Sequence, residues 1–287
     1  MSAKDFASTY TSTWCPGCGN FGILNALKKT CAVLDLDLEQ TVQVTGIGCS
    51  SKIAQYTNMY RIETLHGRTM PVATGVKLAN HRLTVIVDGG DGDGMGLGMG
   101  HFVHTARRNL DISYFIHNNQ VYGLTKGQTS PTSELGAVTK FSPAPLGNVE
   151  RPINIVRLAL SVGATFVARS YAGDLNHLTE TMVAAVRHKG FAVVDILQPC
   201  VTFNKLNSYE WYQKRIYRLD AAGGYDPSNL QQAQQVGAEW GDRIPTGIFY
   251  QEKRMTLEES IPQLQDKTLV ERPVAGADIS ALMQELS

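Results

Sequence analysis

The stretch LTVIVDGGDGDGMGLGMG, residues 83–100, decides the fold. Its first half is apolar without alternation, the pattern of a strand buried on both faces in a parallel sheet. Its second half is a glycine run carrying two acids. Glycine lets the backbone approach a ligand closely and adopt positive φ. Asp91 and Asp93 are hard oxygen donors, and a helix over 95–108 would point its N-terminus, which favours anions, at the same place.

Outward from that stretch, helices and strands alternate. Ile23, Leu24, Leu27, Cys31 and Leu34 share one face of a helix over 21–34. On that face Cys31 reads as a core residue. Strands are expected at 41–46, 83–88, 112–117, 164–169 and 191–197, and helices at 71–80, 95–108, 152–162 and 175–188. The pattern predicts a doubly wound, mostly parallel α/β sheet over roughly residues 10–200, with ligands at the carboxyl ends of its strands. The last ~75 residues are more polar, with few strand signals. Residues 216–287 therefore read as a C-terminal segment, a partner-binding arm or a solvated tail, with short helices in NLQQAQQVGAEW and SALMQEL.

The chain has 287 residues, 43% hydrophobic and 18% charged, so it can bury a sizeable core. Lys+Arg and Asp+Glu both number 26, which leaves no broad basic field and argues against a nucleic-acid binder. No apolar run is long enough to span a membrane. The N-terminus has no apolar signal core, so a reducing cytoplasm is the expected compartment. Five cysteines, at 15, 18, 31, 49 and 200, argue against a disulfide framework.

The glycine loop fits none of the commoner motifs. No window matches G-x-G-x-x-G, and no G-K-[ST] closes a Walker A loop. Counting from Asp91, an EF-hand would need oxygen ligands where Met95 and Phe102 stand. A diphosphate bridged by a divalent metal remains, since Mg²⁺ takes a few protein oxygens together with phosphate oxygens. The next strand ends in HNNQVYGLTKGQ, 117–128. Asn119 there could offer its amide oxygen and Val121 its carbonyl, although an Asn-Asn pair alone is equally a plain turn. Cys15-Pro-Gly-Cys18 is a chelating pair. With Cys49 and Cys200, each just after an expected strand, it could form a four-thiolate site for zinc or for an iron–sulfur cluster.

WCPGCGNFGIL (14–24), TGIGCSSK (45–52), LHGRTMPVATGVKLAN (65–80), GGDGDGMGLGMGH (89–101), NNQVYGLTKGQTSPTS (118–133) and QPCVTFNKLN (198–207) appear in this order. Over roughly residues 10–215 the chain resembles the thiamine diphosphate-binding β subunit of two-subunit 2-oxoacid:ferredoxin oxidoreductases. The resemblance implies that Asp91, Asn119 and the Val121 carbonyl match the family's Mg²⁺ ligands. It also implies a 4Fe–4S cluster on Cys15, Cys18, Cys49 and Cys200. Thiamine diphosphate contacts are implied for Ile47, Gly48, Cys49, Ser50, His66, Gly67, Gly90, Gly92, Asp93, Gly123 and Leu124. His66 would contact the diphosphate or handle a proton. Lys52 and Leu124 would lie near the reacting carbon, with Lys52 able to pair with a substrate carboxylate. His101 and His104 lack an H-E-x-x-H context and read as helix packing.

The implied reaction is oxidative decarboxylation of a 2-oxoacid to acyl-coenzyme A and CO₂, with electrons passing through the cluster to ferredoxin. KLNSYEWY and the two-subunit form fit the 2-oxoglutarate branch; pyruvate or broad 2-oxoacid use is the alternative. The chain offers no second α/β domain for the pyrimidine half of the cofactor site. An α subunit would supply that half, in an α₂β₂ assembly. Two other classes compete: a non-redox thiamine diphosphate decarboxylase or synthase, for which four cysteines have no use, and a metal-stapled assembly subunit without chemistry.

Overall fold

The computed structural model describes residues 1–272 and 278–286. Residues 273–277 and 287 of the expected C-terminal segment lie outside the described residues. One eight-stranded sheet organises the chain. Its strands are β1 (Thr41–Thr45), β2 (Tyr60–Glu63), β3 (Thr84–Gly90), β4 (Ile112–Asn118), β5 (Phe166–Tyr171), β6 (Phe191–Leu197), β7 (Ile216–Arg218) and β8 (Ile244–Gln251). Their order is β2-β1-β3-β4-β6-β5-β8-β7, and every neighbouring pair is parallel except β5 with β8. The expected mostly parallel, doubly wound sheet is present.

Strand alternation sends side chains to two cores. Val85, Val87, Tyr114 and Ile116 face α2 (Thr69–Ala79), α3 (Met99–Arg108) and α4 (Ile155–Ser161), through Ala73, Phe102, Ala106 and Val156. Ile86, Phe115, Val194 and Ile196 face α1 (Asn20–Val33) and α5 (Leu175–Arg187), through Ile23, Leu27, Leu178 and Met182. Cys31 is fully buried in this second core. Burial on both faces explains the continuous apolar runs. After β1 the chain steps to β2 on one side and then to β3 on the other. Such a reversal opens a crevice at the carboxyl ends of β1 and β3.

The structure adds the edge strand β2, which no expected element covers, and differs from expectation in three further places. The helix expected from residue 95 begins at Met99; Asp93–Leu97 form a wide turn closed by the Gly98 N–H on the Asp93 carbonyl at 3.0 Å. The helix expected from 152 starts at Ile155 because Asn154 caps it, its side chain accepting from the Arg157 N–H. Residues 216–251, read as strand-poor, contribute β7 and β8 to the sheet. Between them α7 (Leu230–Gly237), which follows the short helix α6 (Tyr209–Gln213), buries Ala233 against the first core. Beyond β8, SALMQEL forms a helix, Ser280–Glu285, with no buried residue.

Phe249 of β8 is fully buried in the first core. Phe249→Ala should therefore lower stability by about 3–5 kcal/mol. Leu282→Ala, at a site 60% exposed, should change it by less than about 0.5 kcal/mol. Denaturant titration of the full chain distinguishes them, and equal small effects would mean that β8 is no part of the core.

Candidate functional site

A cavity opens at the crevice. Its walls are Ile47–Ser50 after β1, His66 before α2, Gly90 at the end of β3 with Asp91–Asp93 after it, and Asn119 with Val121–Thr125 after β4. These include every residue expected at the cofactor except Gly67 and, among the catalytic expectations, Lys52. Gly67 stands just behind, its N–H donating to Asp93. Lys52 lies on a neighbouring cavity and donates to Thr13 Oγ1 at 3.0 Å.

Asp91 is 1% exposed. Burial pushes its carboxyl up to about 6, against the pull of its hydrogen bonds. Oδ2 accepts from the hydroxyls of Ser130 and Thr132 at 2.5 and 2.6 Å, and Oδ1 from the Asn119 N–H at 3.3 Å. Asn118, one residue earlier, donates to Asp195 and has its Oδ1 3.1 Å from the Thr132 hydroxyl. Between Asn119 and Val121 the chain reverses at Gln120, whose φ of 57° is left-handed. Three contacts fix that conformation. The Gln120 amide donates to the Thr132 carbonyl, its Oε1 accepts from the Tyr212 hydroxyl, and its carbonyl accepts from Ser133. Over-determination of this kind sustains a strained backbone at a site. Sequence reading passed over Ser130, Thr132 and Gln120.

Asp93 works on the opposite wall. Its Oδ1 accepts from the Ile47 N–H at 3.1 Å and the Gly67 N–H at 2.8 Å, tying two loops together. His66 Nδ1 stands 3.8 Å from the same oxygen and, with Asp93 Oδ2, is buried without a protein partner. Burial raises the Asp93 carboxyl, which these N–H bonds and His66 partly offset. A side chain at Gly92 would collide with the ring of Tyr122, so the glycine there is a steric requirement.

The second cavity holds the thiols. Cys15, Cys18, Cys49 and Cys200 all line it, with Trp14, Lys52, Lys126 and Phe203. Cys15-Pro-Gly-Cys18 is a tight turn: the Cys18 N–H meets the Cys15 carbonyl at 3.0 Å and Gly17 has φ +80°, as position i+2 of a type II turn requires. Burial pushes the Cys18 thiol up to about 11, and the charges of Cys200, Cys49 and Cys15 push the same way. Cys49 is raised by burial and by Cys200. At Cys18 and Cys49, where burial resists deprotonation, a bound metal cation would be needed to hold the sulfur as thiolate. Among the described residues, no three His, Cys, Asp or Glu side chains converge on a single ion. The two cavities share Cys49, Asn119, Gly123 and Leu124. A Cβ on Gly123 would lie 3.6 Å from Cys49 Sγ, 3.8 Å from Cys200 Sγ and 4.0 Å from Asn119 Nδ2.

Thr132→Val keeps shape and removes a donor to a buried carboxylate. It should destabilise the full chain by about 1–3 kcal/mol. Denaturation shows this, and a change within about 0.5 kcal/mol would mean that Thr132 does not hold Asp91.

Comparison with known proteins agrees with this geometry. Residues 46–196 match the thiamine pyrophosphate enzyme C-terminal TPP-binding domain, and residues 200–266 the C-terminal region of the pyruvate ferredoxin oxidoreductase β subunit. The chain is 48% identical over 271 residues to a Sulfolobus 2-oxoacid:ferredoxin oxidoreductase subunit β, covering 91% of this chain and 86% of that one. It is 47% identical over 204 residues to the 2-oxoglutarate oxidoreductase subunit KorB of Mycobacterium tuberculosis, covering 71% and 54%. It also superposes on a 2-oxoglutarate:ferredoxin oxidoreductase from Magnetococcus marinus, solved with 2-oxoglutarate, coenzyme A and succinyl-CoA bound. That match has a TM-score of 0.91 at 37% identity and covers 100% of this chain and 96% of the other. A parallel sheet whose switch-point cavity falls within the matched thiamine diphosphate region, and identity of this extent, place the chain in the family of β subunits of 2-oxoacid:ferredoxin oxidoreductases.

Proposed function

We propose that thiamine diphosphate and the 4Fe–4S cluster occupy the two adjoining cavities, and that electrons from a 2-oxoacid cross the wall at Gly123 on their way to a ferredoxin. The observation that carries this reading is the shared wall: one glycine separates the metal-side amide of Asn119 from two cluster-side sulfurs. A Cβ there would make ordinary van der Waals contact with all three atoms, so the wall is about one methyl group thick.

Asp91, Asn119 and the Val121 carbonyl would hold Mg²⁺ against the diphosphate. The donor set is hard oxygen, as Mg²⁺ requires. Ser130 and Thr132 orient the Asp91 carboxylate, and Gln120 turns the chain so that Asn119 and Val121 both line the cavity. Cys15, Cys18, Cys49 and Cys200 would hold the cluster. Zinc would draw all its thiolates to ~2.3 Å from one point, whereas each iron of a cubane takes its own, which suits thiols dispersed around a cavity. Bound thiamine diphosphate supplies carbanion stabilisation for decarboxylation. His66, beside Asp93 at the cavity, contacts the diphosphate or carries a proton, and Leu124 covers the reacting side. Lys52, on the cluster side, offers an ammonium to a substrate carboxylate.

The substrate we favour is 2-oxoglutarate, with coenzyme A as acyl acceptor, on the likeness to KorB and to the Magnetococcus marinus enzyme. Relatives at 46–48% identity named for 2-oxoacids in general favour the broader alternative. Residues 46–196 match one thiamine diphosphate-binding domain. The β-subunit names of the relatives support a partner, and in this reading an α subunit supplies the pyrimidine half in an α₂β₂ assembly. Residues beyond 251 remain candidates for contact with it.

Assays on the assembled complex test the scheme. Cys200→Ser should lose iron and ferredoxin reduction, whereas Cys31→Ser, in the core, should keep both. The wild type should turn over 2-oxoglutarate with a kcat/KM at least about tenfold above that for pyruvate, a difference of ~1.4 kcal/mol. Equal iron in both variants would sink the four-thiolate scheme, and a preference for pyruvate would overturn the substrate.

A further inference from the structure

A third cavity, of about 190 Å³, lies on the far side of the Asp91 loop. It shares no lining residue with the cofactor or thiol cavities, although Thr132 in its wall also bonds Asp91. Its polar wall is Arg169 of β5, Asp195 of β6 and Asn118 at the end of β4; its apolar wall includes Ile153 and Ile155. Arg169 is the largest fully buried side chain, 1% exposed. Its guanidinium stands over the rings of Trp240 and Phe249, at 5.2 and 5.5 Å from their centroids. Nε donates to Asp195 Oδ2 at 2.8 Å, and Asn118 takes the other carboxylate oxygen at 2.9 Å.

A guanidinium has five N–H donors in a planar fork. Among the described residues Arg169 places only Nε on a protein acceptor, and Nη1 is buried with no partner. Buried donors left unpaired are unfavourable, so something should meet them. The fork matches a carboxylate bidentately. Asp195 already neutralises the arginine, so the site favours a monoanion, held by its donors, over a phosphate dianion. The apolar wall opposite calls for hydrocarbon, which water does not supply. A cavity of ~150 Å³ accommodates a six-carbon ring, so this one has room for a short aliphatic acid.

We propose that this cavity is a binding site for short-chain monocarboxylates, with the carboxylate on the free edge of Arg169 and the alkyl chain against Ile153 and Ile155. It is separate from the thiamine diphosphate cavity and does not depend on the assignment made there.

The probe is butyrate, with butanamide as the neutral isostere, titrated into the assembled complex with 2-oxoglutarate saturating. Saturation-transfer NMR and calorimetry report binding. Butyrate should bind at least about tenfold more tightly than butanamide. Ile153→Trp, which fills the cavity and leaves the Arg169–Asp195 pair intact, should remove butyrate binding while near-UV circular dichroism stays native. The proposal is overturned if butyrate does not bind, if butanamide binds equally well, or if folded Ile153→Trp binds butyrate as the wild type does. The isostere comparison needs no variant, so equal binding of butanamide overturns the proposal even where the substitution fails to fold, and loss of binding in folded Ile153→Trp assigns the site to this cavity.

Discussion

A buried carboxylate at the end of a parallel strand is the constraint on which the site depends. Asp91 loses the hydration of its charge on burial and keeps that charge only through donors fixed around it. Two come from a long irregular loop, Ser130 and Thr132, and one from the backbone after β4. Those donors need their own supports, which is why the left-handed Gln120 is held at three points and why Asn118 reaches toward Asp195. Geometry at one carboxylate thus reaches from β3 across β4 to β6 and β5.

The second organising fact is proximity. Loops after β1 and β4 contribute to the cofactor cavity on one side and the thiol cavity on the other. Parallel strands bring these loops to one edge of the sheet, so two pockets with different donor chemistry arise within one fold. Oxygen donors gather at β3 and β4, sulfur donors at the N-terminal turn and after β1 and β6. That segregation matches hard and soft ligand preferences. It gives the proposed electron path its physical basis.

The glycine loop after β3 was legible because it joined three independent signals: an unalternating apolar run, clustered glycines and two acids. The Cys-Pro-Gly-Cys turn was legible because its residues dictate its geometry. β2 was not, because its Tyr-Arg-Ile-Glu alternation is only four residues long and all four are exposed on a sheet edge. β8 was missed because Pro245 and Gly247 interrupt it and its antiparallel partner β5 is distant in sequence. Ser130 and Thr132 could not be singled out from a loop without periodicity, since their role exists only once the chain folds back on Asp91. One signal was available and unused. Each of two buried strands, FVARSY and FAVVDIL, carries a single charge, of opposite sign, and these pair as Arg169 and Asp195.

The central claim is that substrate electrons pass from the cofactor cavity to the thiol cavity across the Gly123 wall. The most direct measurement mixes the assembled complex with 2-oxoglutarate and coenzyme A under anaerobic conditions, ferredoxin withheld, and follows cluster reduction by rapid-freeze EPR alongside CO₂ release. The account predicts a reduced-cluster signal that rises in step with CO₂. Release of CO₂ while the cluster stays oxidised would contradict it.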